Sequence, residues 1–306
     1  MLTKKIIFLL GPTGIGKSAV AISLAKKINA QIISCDSMQV YRSMDILTSQ
    51  VTFAQRKKVK HHLIAVIDPE DEYNVAKYRR EALAICDKLF KKGKIPLFVG
   101  GTGLYFSVII DGLFPAVPQD KSIRLKLEKQ LKLKGNKYIY RFLVKVDSVA
   151  AKKIHPHDTR RIIRALEVYL KTGKRISELQ KNRIGLGKEY TLKIFGLNSK
   201  RQPLYDTIDQ RVDKMFDQGL VNEVKRLIKH KLSRTAKCAI GIPELMGHFA
   251  GQYSLAEARR LIQRNSRHYA KRQLTWFRKD KRIQWINVNK TESPVKVAFK
   301  LWKELS

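Results

Sequence analysis

The sequence has few cysteines and no long apolar segment, and both absences exclude protein classes. Its three cysteines, Cys35, Cys86 and Cys238, are far apart and form no C-x-x-C spacing. This pattern is typical of reduced thiols rather than of disulfides or a zinc site. No apolar run approaches the roughly 20 residues that cross a membrane, and the N-terminus has no signal-peptide cleavage region. We therefore expect a cytoplasmic protein that does not enter a membrane.

Acidic residues are also scarce. The chain of 306 residues contains 26 Asp and Glu against 62 Lys and Arg, so its formal net charge is +36. Such an excess repels itself unless a polyanion neutralises it, and nucleic acid is the commonest partner of that kind. A lysine-rich proteome would give an ordinary enzyme the same balance, so charge alone does not identify the partner. The 44% hydrophobic content is enough for a buried core.

The first motif is a glycine-rich loop between an apolar run, Ile6–Leu10, and an amphipathic segment, Ala19–Asn29. Strand, loop and helix are the context in which G-x-x-x-x-G-K-[ST] binds phosphate. The glycines let successive backbone N–H groups point at one anion, and the helix N-terminus adds positive potential. Lys17 offers a charge to the terminal phosphate, and Ser18 offers a hydroxyl to magnesium. The residues predicted to bind a di- or triphosphate are Gly11, Pro12, Thr13, Gly14, Ile15, Gly16, Lys17 and Ser18.

A second predicted strand, Gln31–Ser34, is followed closely by an acid, Asp36. In open α/β sheets, ligands lie outside the carboxyl ends of the strands. Asp36 is therefore a candidate base or substrate-orienting group. The alternative interpretation is a helix N-cap or a solvated loop acid.

The strand predicted at Ile95–Val99 ends in Gly100, Gly101 and Thr102, without an acidic residue. An ATPase or GTPase usually has an acid at such a strand end, where it holds magnesium and positions water. Its absence argues against nucleotide hydrolysis but not against phosphate binding. Thr102 is a candidate ligand-binding hydroxyl, and helix capping is its alternative role.

The remaining pattern predicts the domain organisation. Residues 61–69 predict another strand, and residues 120–180 are strongly charged and helical, with segments at 121–134, 138–146 and 158–170. The predicted fold class is α/β, with a P-loop NTPase-like parallel sheet flanked by helices and an inserted all-helical lobe. The core is predicted to comprise residues 1–114 and 190–306, and the lobe residues 115–189.

Basic residues are concentrated on two predicted helices. Arg160, Arg161 and Arg164 fall on one arc of the first helix. The second helix, at about 254–279, carries a stripe whose members are Arg260, Arg264, Arg267 and Lys271. Aromatic residues alternate with cations near its end, a composition that suits phosphate contacts and base stacking. The alternative is a basic surface whose aromatic side chains pack inward.

Six motifs in order resemble the tRNA dimethylallyltransferases (tRNA isopentenyltransferases, the IPP transferase family). The resemblance extends from Gly11 to about Trp285. The motifs are Gly11–Ser18, Asp36–Tyr41, His61–Ile64, Gly100–Tyr105, Arg161-x-x-Arg164-Ala-Leu-Glu and Ala270–Arg278.

This resemblance implies a specific reaction. A dimethylallyl group would pass from dimethylallyl diphosphate to the exocyclic N6 amine of the adenosine immediately 3′ of the anticodon, in tRNAs that read codons starting with U. The implied partners are the tRNA anticodon stem-loop and dimethylallyl diphosphate, the implied cofactor is Mg²⁺, and the expected state is a monomer. An allylic diphosphate reacts by losing diphosphate, so a P-loop that stabilises this leaving group is catalytic without any nucleotide.

The resemblance also implies residue roles. Asp36 would act as general base, Thr102 and Arg211 would complete the catalytic set, and Ser18 would face the metal. The residues implied in tRNA binding are Asp36, Ser37, Met38, Gln39, Thr102, Arg124, Arg160, Arg161, Ile162, Ile163, Arg164, Arg267, Lys271 and Arg272.

Three segments depart from the family pattern, and three alternatives remain open. Leu47, Ala65 and Ile242-Pro243 stand where the family has a glycine, an acid, and an aromatic followed by a cation. One alternative is an adenylate isopentenyltransferase acting on free AMP, ADP or ATP. Another is a P-loop kinase of a small molecule, and a third is a nucleic-acid-binding module with a purely structural P-loop.

Overall fold

The computed structural model describes residues 4–114, 117–188, 190–289 and 291–305. The chain forms two compact units. The first unit comprises Met1–Ile109 and Gly187–Ser306, and the second comprises Ile110–Leu186. The second unit is thus an insertion, as expected, although its bounds differ by several residues from the predicted 115–189. Within the described ranges, no helix is both long and apolar enough to cross a bilayer.

The first unit contains a six-stranded parallel sheet in the order β3-β2-β4-β1-β5-β6. Its strands are β1 (Lys5–Leu10), β2 (Ala30–Cys35), β3 (His61–His62), β4 (Ile95–Gly100), β5 (Thr191–Asn198) and β6 (Gln284–Asn287). The α-helices of the described chain are α1 (Lys17–Lys27), α2 (Phe53–Lys58), α3 (Val75–Phe90), α4 (Gly103–Ile110), α5 (Lys121–Val146), α6 (Ser148–Lys153), α7 (Thr159–Thr172), α8 (Ile176–Leu179), α9 (Arg201–Asp217), α10 (Leu220–Leu227), α11 (Ile242–Phe249), α12 (Leu255–Phe277) and α13 (Pro294–Lys303).

The sheet is buried on both faces, which explains the continuous apolar run of β1. Ile7 and Leu9 pack in one hydrophobic cluster with Leu24 of α1 and Leu301 of α13. A parallel strand covered by helices on both sides has no polar face, so its sequence does not alternate. This is why the run Ile6–Leu10 indicates a central strand.

The register of the three central strands determines where the site forms. Gly100 of β4 lies opposite both Leu10 of β1 and Cys35 of β2. The three strands therefore end at the same level. A Cβ atom on Gly100 would stand 2.1 Å from the carbonyl oxygen of Cys35, so this close approach requires glycine. The segments that follow the three strands all leave this one edge.

The strand predicted over residues 61–69 is wrong in extent. Only His61 and His62 pair with β2, because Leu63 and Ala65 adopt left-handed backbone conformations, with φ of 59° and 52°. Such angles break the pleat and are uncommon for residues other than glycine. The N–H of Ala65 instead donates to the carbonyl of Gln39. This part of the chain therefore supports the loop after β2, a contact that apolar patterning does not reveal.

The second unit is all-helical, as predicted. Its longest helix, α5, contains a break at Gly135, where φ is 75° and ψ is 173°. This break lies between the predicted segments 121–134 and 138–146. Leu143 of α5 packs with Leu166 of α7 in the core of the unit.

Two residues of the predicted tRNA surface lie in the core of this unit. Ile162 is 0% exposed and Ile163 is 8% exposed, and both belong to the hydrophobic cluster. Their side chains pack inward, so a contact with tRNA stays a prediction that could involve only their backbone. The sequence did not reveal this burial because a basic helical arc and a buried apolar arc alternate within the same few residues of α7.

Arg124 and Arg164 have a structural partner in the buried carboxylate of Glu167. Arg124 donates to Glu167 at 2.9 and 3.0 Å, Arg164 donates at 2.7 Å, and the backbone N–H of Asp120 donates at 2.7 Å. Burial raises the pKa of Glu167, but these hydrogen bonds outweigh it and leave the pKa below its ordinary value. The network accounts for both arginines without RNA, so their binding to tRNA stays a prediction.

Candidate active site

The glycine loop lies between β1 and α1, as the motif predicts. Gly11, Gly14 and Gly16 all have positive φ, and Gly16 precedes the first residue of α1. The loop packs closely, because a Cβ atom on Gly14 would stand 2.6 Å from Ile208 of α9. The ammonium of Lys17 donates to the carbonyl of Pro12 at 2.7 Å. The loop is thus preorganised around the N-terminus of α1, where an anion is stabilised.

Two partly buried cations, Lys17 and Arg211, meet at this loop. The pKa of Lys17 is lowered to about 8, chiefly by burial; Asp36 acts in the opposite direction, and Arg211 lowers it further. Arg211 extends from α9, and its Nη2 donates to the hydroxyl of Thr13 at 2.7 Å. Its Nε is buried without a hydrogen-bond partner among the described residues. An unpaired buried N–H beside a second cation is stabilised by an anionic ligand.

Asp36 and Thr102 are joined through the turn after β2. One carboxylate oxygen of Asp36 accepts the backbone N–H groups of Met38 and Gln39, at 2.9 and 3.4 Å. The hydroxyl of Thr102 accepts the N–H of Ser37 at 3.0 Å, and the N–H of Thr102 donates to the carbonyl of Cys35. The structure therefore gives Asp36 a turn-capping role and a place on the cavity wall, and its role as a base stays a prediction.

A cavity of about 350 Å³ is lined by residues of the glycine loop, by Asp36 and by Arg211. Its wall also includes apolar side chains, namely Ile32, Val51, Ile64 and Val99. Thr102 is not among the lining residues and is connected to Asp36 through the turn that contains Ser37. The cavity can thus accept a ligand that carries both an anionic group and an apolar group.

Gln273 is a site residue that sequence reasoning missed. It lies on α12, is 5% exposed and lines the cavity. Its side chain bonds both the glycine loop and the turn after β4. The sequence pattern of Tyr269–Arg278 predicted a basic surface for phosphate contacts and base stacking, with inward packing of the aromatic side chains as the alternative. The signal available in the sequence was its spacing, because Gln273 shares the buried face of α12 with Ala270 and Phe277.

Tyr269, also on α12, lies beside the catalytic candidates. Burial raises its pKa, the charge of Asp36 raises it further, and a hydrogen bond with Thr102 acts in the opposite direction. Its hydroxyl therefore remains protonated at neutral pH and can donate a hydrogen bond. The sequence pattern had assigned Tyr269 only to a general aromatic–cation surface.

The oxygen donors of the cavity are suitable for magnesium, but they are few. Ser18 and Asp36 both line it, and hydroxyl and carboxylate oxygens are ligands that Mg²⁺ accepts. No group of three or more His, Cys, Asp or Glu side chains arranged to hold a metal occurs in the part of the chain that the structure describes. A magnesium ion here would depend on the phosphates of its ligand for further donors.

The members of the predicted basic stripe of α12 differ in their partners. Arg264 and Lys271 of the stripe are exposed, as is Arg272 beside it. Arg267 is 27% exposed and bonds Asp209 of α9 at 2.6 Å, so a role in tRNA binding stays a prediction for it. On α7, Arg160 is exposed and Arg161 pairs with Asp158.

The fold and the site together indicate a class of protein. It is an α/β protein in which the P-loop, Lys17 and Arg211 form a site for a phosphate-bearing ligand. Comparison with known proteins is more specific. A family model described as IPP transferase matches residues 39–280, and one described as Isopentenyl transferase matches residues 4–65.

Relatives match over nearly the whole chain. A tRNA dimethylallyltransferase of Carboxydothermus hydrogenoformans is 46% identical over 305 residues, covering 99% of this chain and 98% of its own. The enzyme of that name from Thermotoga maritima is 43% identical over 286 residues, covering 93% and 92%. The chain belongs to the IPP transferase family.

Solved structures agree with this assignment. The full-length tRNA isopentenylpyrophosphate transferase of Bacillus halodurans has a TM-score of 0.72 and 36% identity, covering 99% of this chain and 97% of its own. A eukaryotic dimethylallyltransferase acting on tRNA has a TM-score of 0.78 and 30% identity, covering 94% and 75%.

Proposed function

We propose that this prenyltransferase transfers a dimethylallyl group from dimethylallyl diphosphate to the N6 amine of the adenosine immediately 3′ of a tRNA anticodon. One observation carries the proposal. Asp36 and the partly buried cations Lys17 and Arg211 line the same cavity, at the edge where β1, β2 and β4 end. A base and a leaving-group site on one cavity are what this substitution needs.

The glycine loop stabilises the leaving group. As the bond between the allylic carbon and oxygen breaks, negative charge develops on the departing diphosphate. The ammonium of Lys17, the N–H groups at the start of α1 and the unpaired Nε of Arg211 surround the position where that charge develops. Such preorganised donors act strongly where water is excluded. No nucleotide triphosphate is consumed in this reaction.

Asp36 takes the proton of the nucleophile. The exocyclic amine of adenine is a weak nucleophile because its lone pair is delocalised into the ring. Removal of its proton as the carbon–nitrogen bond forms is typical general-base catalysis. The backbone donors on one oxygen of Asp36 orient the carboxylate. Thr102 holds the adjoining turn through the N–H of Ser37.

The nucleic-acid partner follows from the reaction and the charge. A base inside a folded anticodon loop must leave its stack to enter a cavity, so we expect base flipping. The exposed cations Lys271 and Arg272, with Arg160 of the helical unit, are the candidates for phosphate contacts. Mg²⁺, bound through Ser18 and the diphosphate, would neutralise charge on the leaving group. We further propose that the enzyme is a cytoplasmic monomer that recognises the anticodon stem-loop in tRNAs reading U-starting codons.

The alternatives have less support. The relatives that match over nearly the full length carry the name tRNA dimethylallyltransferase, which disfavours a transferase acting on free AMP, ADP or ATP. Ser37 after Asp36 favours tRNA as well, because adenylate isopentenyltransferases tend to have lysine there. A small-molecule kinase would leave the basic helical unit without a role.

Nucleoside mass spectrometry tests the proposal. Unmodified tRNA is incubated with dimethylallyl diphosphate and Mg²⁺ without ATP, and its digested nucleosides are compared with those of untreated tRNA. We expect an isopentenyl mass gain on one adenosine. Parallel reactions contain AMP instead of tRNA, or tRNA with the anticodon-adjacent adenosine replaced by guanosine. A gain on AMP alone, or a gain that requires ATP, would overturn the proposal.

A further inference from the structure

Gln273 makes two hydrogen bonds that connect separate parts of the site. Its side-chain oxygen accepts the backbone N–H of Thr13 at 2.8 Å. Its side-chain nitrogen donates to the carbonyl of Gly101 at 2.9 Å. The amide is buried, so both its acceptor and one of its donors are engaged away from water. This one side chain therefore joins two loops.

The first bond leads to the leaving-group side. Thr13 belongs to the glycine loop, and its hydroxyl accepts the hydrogen bond from Arg211. Gln273 thus holds the backbone of Thr13, and the hydroxyl of Thr13 holds the guanidinium of Arg211. Displacing Thr13 would displace the guanidinium of Arg211 with it.

The second bond leads to the base side. Gly101 directly precedes Thr102, whose hydroxyl accepts the N–H of Ser37 next to Asp36. A Cβ atom on Gly101 would stand 2.1 Å from the side-chain nitrogen of Gln273, so glycine permits the approach. Gln273 is therefore connected to Asp36 through Gly101, Thr102 and Ser37.

We propose that Gln273 is a positioning residue that sets the distance between the leaving-group site and the catalytic base. The inference rests on the proposed function, because it assigns Gln273 to that reaction. Gln273 touches no reacting atom. It holds the glycine loop and the turn after β4 in one geometry, so that Asp36 reaches the amine that attacks the allylic carbon when the diphosphate lies on the loop. A misplacement of about 1 Å between reacting groups can lower a rate about 100-fold.

Kinetics of Gln273→Ala provide the first test. We expect the turnover number at saturating substrates to fall at least tenfold, while the affinity for tRNA changes less than twofold. The affinity for inorganic pyrophosphate should fall, because the Thr13 N–H loses its fixed partner. Gln263→Ala is the matched control: Gln263 lies on the same helix and donates to Asp213 at 3.0 Å, and we expect this variant to retain wild-type turnover. Wild-type turnover in Gln273→Ala would refute the proposal.

A second variant separates positioning from a general packing role. In Gln273→Glu the carboxylate can accept the Thr13 N–H but cannot donate to Gly101, whereas the protonated acid can do both. Lys17 of α1 and Arg211 of α9 favour the charged form, and Asp36 after β2 opposes it. We expect the turnover of Gln273→Glu relative to wild type to rise as the pH falls from 8 to 6, because the protonated form regains the bond to Gly101. The same ratio for Gln273→Ala should stay constant.

The outcomes distinguish this inference from the proposed function. If wild-type enzyme fails to prenylate tRNA, the proposed function fails, and the pyrophosphate affinities still report whether Gln273 holds the glycine loop. If wild type is active and the Gln273→Glu ratio does not vary with pH, the bond to Gly101 has no part in positioning and the inference is wrong. Gln273→Met, which keeps the side-chain length without either bond, replaces Gln273→Ala if the latter does not fold.

Discussion

Asp36 caps the turn after β2, and the proposed mechanism also makes it the base, so the choice of substitution is decisive. Asparagine retains an oxygen that can accept the N–H groups of Met38 and Gln39, so Asp36→Asn preserves the turn. It removes only the basic carboxylate. We expect turnover to fall about 100-fold or more, with unchanged tRNA affinity. Single-turnover kinetics and filter binding measure the two quantities.

The control for this variant is Asp45→Asn, because Asp45 is an exposed acid on the same long loop after β2. It should leave turnover unchanged. Undiminished turnover in Asp36→Asn would remove Asp36 from the mechanism and leave it only the capping role.

The ammonium of Lys17 is needed for phosphate binding in the proposed function, but its burial lowers the stability of the fold. Its folded-state pKa of about 8 lies below the ordinary 10.5, so folding with a charged Lys17 is unfavourable below pH 8, and this penalty disappears as the pH approaches 10.5. Lys17→Met should therefore raise the free energy of unfolding at pH 7 by about 1 kcal/mol, after allowance for the lost bond to Pro12. Pyrophosphate binding should be lost.

Chemical denaturation at pH 7, 9 and 10.5 measures this effect. The difference in free energy of unfolding between Lys17→Met and wild type should become smaller as the pH rises across that series. Lys26→Met, an exposed position on the same helix, should show no comparable gain. A lower stability of Lys17→Met at pH 7 would mean that the ammonium is favourably accommodated without a ligand.

Among the secondary-structure elements, helix α12 has two faces with different functions. Its inward face supplies Gln273 and Tyr269 to the site, and its outward face exposes Lys271 and Arg272. Arg267 falls between these faces and is tied to Asp209. Spacing along the helix predicted the basic stripe, but it could not show which cation was already paired on a neighbouring helix.

Salt-dependent binding distinguishes these cations. Lys271→Ala should weaken tRNA binding and reduce the slope of log K against log salt concentration by about 0.7–0.9, because one phosphate contact is lost. Arg267→Ala should lower stability by about 1 kcal/mol through loss of the pair with Asp209, and a reduced slope in this variant would show that Arg267 also contacts a phosphate. An unchanged slope in Lys271→Ala would remove Lys271 from the RNA contacts.

The β3 region shows a second limit of predicting secondary structure from the sequence pattern. Its apolar residues suggested a strand of nine residues, and the structure retains two. Leu63 and Ala65 have positive φ angles, and the backbone N–H groups of Ala65 and Val66 donate to the loop after β2. A long-range contact of this kind has no signature in local hydrophobic spacing.

At the scale of the whole molecule, the helical unit depends on a buried charge network. Glu167→Gln removes the carboxylate that Arg124 and Arg164 share, and we expect the unit to lose about 2–3 kcal/mol. Because the pKa of Glu167 lies below its ordinary value near 4.5, this stabilisation is complete above that pH and is lost as the pH falls through the folded-state pKa.

Hydrogen exchange measured by mass spectrometry tests this expectation. Peptides from Ile110–Leu186 should exchange faster in Glu167→Gln, and pyrophosphate affinity, which belongs to the first unit, should not change. Glu178→Gln, at an exposed position of the same unit, is the control. Unchanged exchange would show that apolar packing alone maintains the unit.

Local sequence patterns were enough to predict the fold class, the phosphate loop, the helical insertion and the position of Asp36 after a strand. Each of these depends on neighbouring residues in the chain, such as an apolar run or a glycine spacing. Which side chains complete the site could be seen only in the folded protein. Gln273 is 260 residues from Thr13 in the chain, and it reaches Thr13 because α12 packs against the sheet edge. Burial of Ile162 and Ile163 and the pairing of Arg267 were decided in the same way, since each depends on what lies opposite a residue in space.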